Sequence, residues 1–282
     1  MSRLTAKIVS YYFVILSLLI VNNEAQELDR QFHYADSLFN SEKYFDAITE
    51  YKRLLFFDNS DQFSYQSIFN IGLSYKFGAK YDDAIKYFKQ AELCSRSDSQ
   101  KVNARLQTVR INILRRTTDN ALAMLNDLTN EFPNQVDSNT IAYWRGWAYI
   151  MADDWENASL SFNKIDTEHP LKKMADEVEE NKYSVTFATL ISYILPGSGQ
   201  FYTGNYVSGL LSLGWNVLWG YLTVNAFVTD RVLEGILIGG LLWARFYRGN
   251  FKNAEKFAIE KNIEISNEAY KYLKNNYEGI KP

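Results

Sequence analysis

The 282-residue sequence predicts an all-α protein: a signal sequence, four helix-pair repeats forming a short superhelix, then a membrane helical hairpin with a half-helix. Three observations carry that expectation. Alanines recur 37 residues apart, at Ala47, Ala84, Ala121 and Ala158. From Ser184 to Thr229 there is no Asp, Glu, Lys or Arg. At the front, Arg3 and Lys7 precede an uncharged run from Ile8 to Asn23.

That front segment has a basic start, an apolar core of about 14 residues and a small residue before a polar stretch, the pattern of a secretory signal. Residues 1–25 are read as a signal peptide with Ala25 the last residue removed. Asn23 stands where a small residue is preferred, which leaves an uncleaved anchor open.

The repeats occupy the next part of the chain. Three positions before each alanine stand Tyr44, Tyr81, Thr118 and Trp155, and four after it stand Tyr51, Phe88, Leu125 and Phe162. Twelve before it stand Ala35, Gly72, Val109 and Gly146, and two copies end in Pro133 and Pro170. An alanine at one fixed place lets two antiparallel helices approach closely while large residues fill the remaining space. No unit buries its own face, so the units are expected to stack.

This pattern resembles the tetratricopeptide repeat over about residues 28–170, with a degenerate third copy that has Asn112 and Thr118 at aromatic places. The family period is 34, so the longer spacing is expected to lengthen the links between units. "LKKMADEVEENKY" is read as a capping helix, closing a repeat domain over 28–183. The resemblance implies a groove on the first helix of each unit. Its register assigns Phe32, Asp36, Phe39, Phe69, Leu73, Lys76, Arg110, Leu114, Tyr143, Trp147 and Met151 to that groove. The family's clamp for a C-terminal carboxylate wants Asn and Lys at these places, and Asp36 and Leu73 do not fit it. An apolar peptide or protein partner is the expected occupant.

The composition changes after Tyr183. Tyr206 to Val228, 23 residues, makes a helix of about 34 Å, enough for a hydrocarbon core of about 30 Å. Val232 to Tyr247 forms a shorter second arm in which Gly235 and Gly239 lie four apart, a spacing that allows close helix contact and self-association. Ser184 to Leu195 is too short to span alone. Pro196 ends it, Gly197 and Gly199 permit a reversal, and Gln200 can satisfy backbone groups freed by the break. These features define an expected membrane domain over 184–248, with a polar helical tail over 249–282.

The stretch "LPGSGQFYTGNYVSGLLSL" resembles the PGxGQxYxG signature of small bacterial membrane domains with two hydrophobic helices. Its motif residues are Pro196, Gly197, Gly199, Gln200, Tyr202 and Gly204, and "FYRGNFKNAEKFAIEKN" matches the stretch that closes such domains. The resemblance implies a lipid bilayer as partner and no mechanism. Two crossings plus a half-helix agree with the length of the segments. The basic flank at Arg245, Arg248 and Lys252 fits three.

Chemistry is sparse. With 30 Lys+Arg against 33 Asp+Glu and a net charge of -3, no basic block points to nucleic acid. Cys94 is the only cysteine, which excludes an intrachain disulfide. His33 and His169 stand far apart without ligand-spaced neighbours, so no metal is expected. Ser198, in "PGSGQ", lacks the phosphate-gripping lysine of a nucleotide loop and lacks a base partner. No enzyme and no cofactor are expected.

The composite expectation is a membrane-anchored interaction scaffold or adaptor of the bacterial cell envelope. It would sit in the inner membrane with its repeats on the periplasmic side. The alternative is a component of a membrane insertion, export or transport machine whose activity lies in the C-terminal domain.

Overall fold

The computed structural model describes residues 26–282; the segment read as a signal, 1–25, lies outside them. Helices dominate, and no strand occurs among the described residues. The chain divides into two compact units, residues 26–169 and residues 170–281.

The first unit holds four helix pairs. Helix α1 covers 26–40 and pairs with α2, Tyr44–Phe57. α3, Ser64–Phe77, pairs with α4, Tyr81–Leu93. α5, Asp98–Leu114, pairs with α6, Thr118–Glu131. α7, Ser138–Met151, pairs with α8, Trp155–Asn163. The links between units are the longer ones, 58–63, 94–97 and 132–137, while each helix pair is joined by a three-residue turn. Where the link is shortest, α5 is the longest of the repeat helices, so the extra residues have joined the helix.

Each of those turns uses one conformation. Glu42, Ala79, Arg116 and Asp153, again 37 apart, all have φ near +60°, at 60, 55, 58 and 64°. The two amides at each helix end bond back in the same way. In the second pair Ala79 N donates to Lys76 O at 3.0 Å and Lys80 N to Tyr75 O at 2.8 Å. In the fourth, Asp153 N donates to Ile150 O and Asp154 N to Tyr149 O, both at 3.0 Å. This left-handed stop satisfies carbonyls that the helix end would orphan. The degenerate third pair keeps it, with Arg116 N on Ile113 O and Thr117 N on Asn112 O.

Packing inside each pair follows the size rule read from the sequence. A Cβ on Gly72 would meet the Phe88 ring at 2.8 Å, and one on Gly146 would meet the Phe162 ring at 2.5 Å. Where the small partner is Ala35 the large one is Tyr51, and where it is Val109 the large one shrinks to Leu125; all four of these large side chains are fully buried. The volumes compensate pair by pair, as a close-packed interior demands.

Helix starts and links are held by side chains. Ser97 and Asp137 accept from the backbone amides of Gln100 and Thr140, capping α5 and α7. Buried Asp58 accepts from Phe63 N at 2.7 Å and Ser60 Oγ at 2.7 Å, tying down the first link. Burial raises its pKa, and these hydrogen bonds outweigh that and leave it lowered.

The second unit starts with α9, Pro170–Asn181, the helix expected to cap the repeats. Its buried Leu171, Ala175 and Val178 belong to this unit, where it packs on the last helix. Then come α10, Val185–Ile194; α11, Ser198–Tyr202; α12, Tyr206–Val228; and α13, Val232–Leu237. A π-helical stretch, Ile238–Trp243, leads into α14, Ala244–Asn275. The expected polar tail is therefore part of a single long helix as far as Asn275, and Asn250, Ala254 and Ala258 of that helix are buried.

The membrane placement is corrected here. Among the described residues no helix is long and apolar enough to cross a membrane. α12 has the length, but Asn216, Asn225 and three interior glycines dilute its apolarity. The second arm runs only from Val232 to Ala244 before Arg245, about 20 Å of helix at 1.5 Å per residue. The expected location in a bacterial inner membrane, with periplasmic repeats, is overturned by this, and a bilayer partner finds no support. α12 does pair with α13 and the π-helical stretch as a hairpin. Gly235 and Gly239 face Phe227 and Thr223 of the chain's own α12, at 3.0 and 2.9 Å from an added Cβ. The self-association expected of that glycine pair likewise has no support.

Candidate functional site

The register positions assigned to the groove lie on α1, α3, α5 and α7, and the structure sorts them into two kinds. Phe32, Phe69 and Trp147 are packing residues, only 9, 9 and 2% exposed. Phe32 stacks on Phe63 at 5.2 Å, and Phe69 meets the Phe88 ring edge-on at 5.3 Å. Phe39, Leu73, Leu114, Tyr143 and Met151 remain half-buried. Phe39 packs beside Tyr44 and Phe77, and Tyr143 beside Trp144 and Phe162.

Asp36 is engaged within the fold. It accepts from the Tyr51 hydroxyl and, at 3.1 Å, from Asn70 Nδ2. Burial, then the bond to Asp36, push the Tyr51 phenol well above its ordinary pKa. This triangle joins α1, α2 and α3, so Asp36 acts as a stapling acceptor.

The polar centre of the first helices lies one unit further on. Lys76 Nζ donates to Gln107 Oε1 at 3.4 Å, linking α3 to α5. One turn beyond Gln107, the Arg110 guanidinium lies over the Trp144 ring, 4.7 Å from its centroid, linking α5 to α7. Lys76 is 7% exposed. Burial, then repulsion from Arg110, bring its pKa down to about 7. Burial lowers the Arg110 pKa as well, opposed by Tyr143. Lys76 on α3 and Arg110 on α5 thus share a weakly solvated place, with the Trp144 ring of α7 against the guanidinium.

Gln107 and Trp144 escaped the sequence reading. The signal was available in the 37-residue offset, which puts Asn70, Gln107 and Trp144 at one register position. The same offset aligns Lys76 with Phe39, Ile113 and Ile150, and the two isoleucines are fully buried.

In the second unit the glycine-rich motif converges on one residue of α14. Gly197 has φ +92° and starts α11. Its amide donates to Asn250 Oδ1 at 2.7 Å, while the Gly199 amide donates to Ser192 Oγ at 3.0 Å. Gln200 Nε2 donates to the Asn250 carbonyl at 2.9 Å, Ser212 Oγ to Asn250 Oδ1 at 2.9 Å, and Asn250 Nδ2 to Ser192 O at 2.6 Å. Groups freed at the Pro196 break are therefore satisfied by Asn250 and Ser192, with Gln200 holding Asn250. A Cβ on Gly199 would collide with Ala188 O and lie 2.5 Å from Ala254 Cβ. Tyr202 Oη accepts from Ser184 N at 3.1 Å, and Gly204, at φ +77°, closes α11. Asn250 stands inside "FYRGN", so the two halves of the motif meet in space.

This second cluster is a polar keystone; it presents no nucleophile–base pair. No group of three or more His, Cys, Asp or Glu that could hold a metal ion occurs among the described residues.

A family model, the tetratricopeptide repeat, matches residues 66–91, which is most of α3 and α4. No curated protein and no solved structure matches the chain. Tetratricopeptide repeats typically bind protein partners, and the family is in general a non-enzymatic interaction module. The repeat at 66–91 suggests a protein–protein interaction role.

Proposed function

We propose that the helix-pair repeats act as a scaffold or adaptor that holds an apolar peptide segment of another protein along the first helices. The observation that carries this reading is the row of half-buried Phe39, Leu73, Tyr143 and Met151 on α1, α3 and α7, beside polar Gln107 and Arg110 on α5. A partner that covers the apolar area these side chains still expose gains in proportion to the area removed from water. The amphipathic segment of a partner, helical or extended, suits such a row.

The test is photo-crosslinking in cells from a reactive residue at Leu73 or Met151, with Phe45 and Leu160 as comparison positions. The latter two lie exposed on second helices. One protein crosslinked from the first-helix positions alone supports the reading. Equal products from Phe45 and Leu160, or none from Leu73 and Met151, overturn it.

A further inference from the structure

One face of α12 is closed inside the second unit: Gly209, Asn216 and Thr223, each seven residues after the last, are buried. Away from that face, Val207, Leu210, Gly214, Val217, Tyr221, Val224 and Val228 follow one another at alternating spacings of three and four. The six side chains among them are each 58–75% exposed, and a Cβ added at Gly214 would meet nothing. Alternating steps of three and four are the a and d positions of a helix that packs on another helix along its whole length. Here they run without interruption from the first turn of α12 to its end. Exposed apolar groups elsewhere in the unit form no such seam. On α10 the helix ends after Phe187, Leu190 and Ile194, and beyond α13 the π-helical stretch changes the pitch that a seam needs.

The spacing calls for a helical occupant, and the charge pattern narrows it. From Ser184 to Thr229 there is no Asp, Glu, Lys or Arg, so no charge beside the seam selects a partner of opposite sign. A charged helix laid along it would give up water and gain no ion pair. The same α12 in another copy has the matching spacing and the matching lack of charge, and a two-fold contact needs just such a self-complementary surface. With neighbouring Leu211 and Leu218 the seam exposes on the order of 900 Å², against about 800 Å² per partner in a standard-size interface. We propose that two copies of the chain pair along α12, each laying its seam from Val207 to Val228 on the other's. This contact is separate from the Gly235–Gly239 pair, which faces the chain's own α12, and from the first-helix face of the repeats.

The test is sedimentation equilibrium of the full chain over about a hundredfold range of concentration, in a mild detergent whose density the solvent matches. The detergent covers exposed apolar groups in general, so that only a fitted contact survives, and density matching leaves the protein mass as the quantity measured. The expected result is a passage from one copy to two as concentration rises. Val217→Glu is expected to weaken pairing about tenfold or more, because two like charges would meet in an apolar seam. Ile194→Glu, at a place on α10 that is 86% exposed, is expected to leave pairing unchanged. Val217 is the middle member of the seam, so it lies near its counterpart whether the two helices run parallel or antiparallel. A mixture of Val217→Glu and Val217→Lys chains is therefore expected to pair more tightly than either variant alone, which also shows that both variants are folded.

A single copy at every concentration overturns the proposal. So does an Ile194→Glu chain that loses pairing as fully as Val217→Glu, since apolar exposure in general would then be responsible. A mixture no tighter than its components overturns the contact of α12 with α12.

Discussion

In the repeats the fully buried side chains include Trp155, Phe88, Phe162 and Leu125, whereas between Val185 and Trp243 they include Ala188, Ser192, Gln200 and Ala226. Along that same stretch many large apolar groups stay outside: Val207 is 74% exposed and Leu233 80%. The two units are built of the same element and held by different forces. Removing large apolar area from water stabilises the helix pairs, at roughly 1.5–3 kcal/mol for each fully buried large side chain. In the second unit, close backbone approach at Gly197 and Gly199 and a hydrogen-bonded hub at Asn250 do that work. A helix contact of that kind depends on exact fit and on satisfying every buried polar group, so it has little tolerance.

The sharpest test of this contrast is Asn250→Ala. It strips partners from the Gly197 amide, the Ser192 carbonyl and Ser212, and is expected to destabilise the second unit by about 3 kcal/mol or more, since each buried unsatisfied group costs about 1–3. Hydrogen exchange resolved along the chain should show faster exchange in α10, α11 and α14 with α3–α8 unchanged. If protection across α10–α14 persists, the hub is not what holds the unit.

In the repeats the corresponding lesion is Gly72→Val, which overpacks the Phe88 ring and is expected to cost about 1–3 kcal/mol. Adding Phe88→Leu recreates the Val109–Leu125 pairing of the third pair and should recover at least half of that loss. Denaturant unfolding of the two single variants and the double variant measures the coupling. Additive losses would mean that the size compensation is coincidental.

Lys76 gives a pH signature. Its folded pKa, about 7, lies below the ordinary lysine value. Below pH 7 both folded and unfolded states are charged and the full cost of burial is present. As pH rises from 7 toward 10.5 the folded state holds fewer protons than the unfolded one, so stability rises and the cost fades. The advantage of Lys76→Met over the wild type should therefore shrink across pH 7–9.5, by at most about 1.4 kcal/mol per pH unit. Thermal melts of both proteins over that range check it, and a constant difference would show that Lys76 stays charged in the fold.

Smaller effects come next. Ala79 holds φ +55° without being glycine, so Ala79→Gly should stabilise the second pair by up to about 1 kcal/mol. Smallest of all, Val207→Asn or Leu210→Gln on the exposed face of α12 should shift the stability of the unpaired chain by no more than about 0.5 kcal/mol. A large loss at either position would erase the contrast between the units.

Much of the repeat unit was legible because it is periodic. The 37-residue offset put Gly72 and Gly146 at one matching position and Phe88 and Phe162 at another, on helices expected to pair; that each glycine meets its own unit's ring is seen in the structure. The turn at Glu42, Ala79, Arg116 and Asp153 was not legible, because four unrelated side chains occupy one backbone conformation dictated by helix ends. In the second unit, Pro196 and the glycines correctly marked a break. Their partner Asn250 lies about fifty residues away, inside the "FYRGN" stretch that the motif resemblance marked without giving that residue a role. The same chargeless run that suggested a membrane crossing forms a helix whose apolarity is lowered by Asn216, Asn225 and the interior glycines.

By itself the sequence determined the all-α class, the repeat with its register, and the place where the C-terminal helices break, because spacing, residue size and proline act over a few residues. Only the tertiary structure decided which groove positions are core, that Asp36 is consumed by Tyr51 and Asn70, and that Lys76 and Arg110 share one poorly solvated place. Those are outcomes of which helices meet and how much water remains between them, and water is lost to neighbours that are distant in the chain.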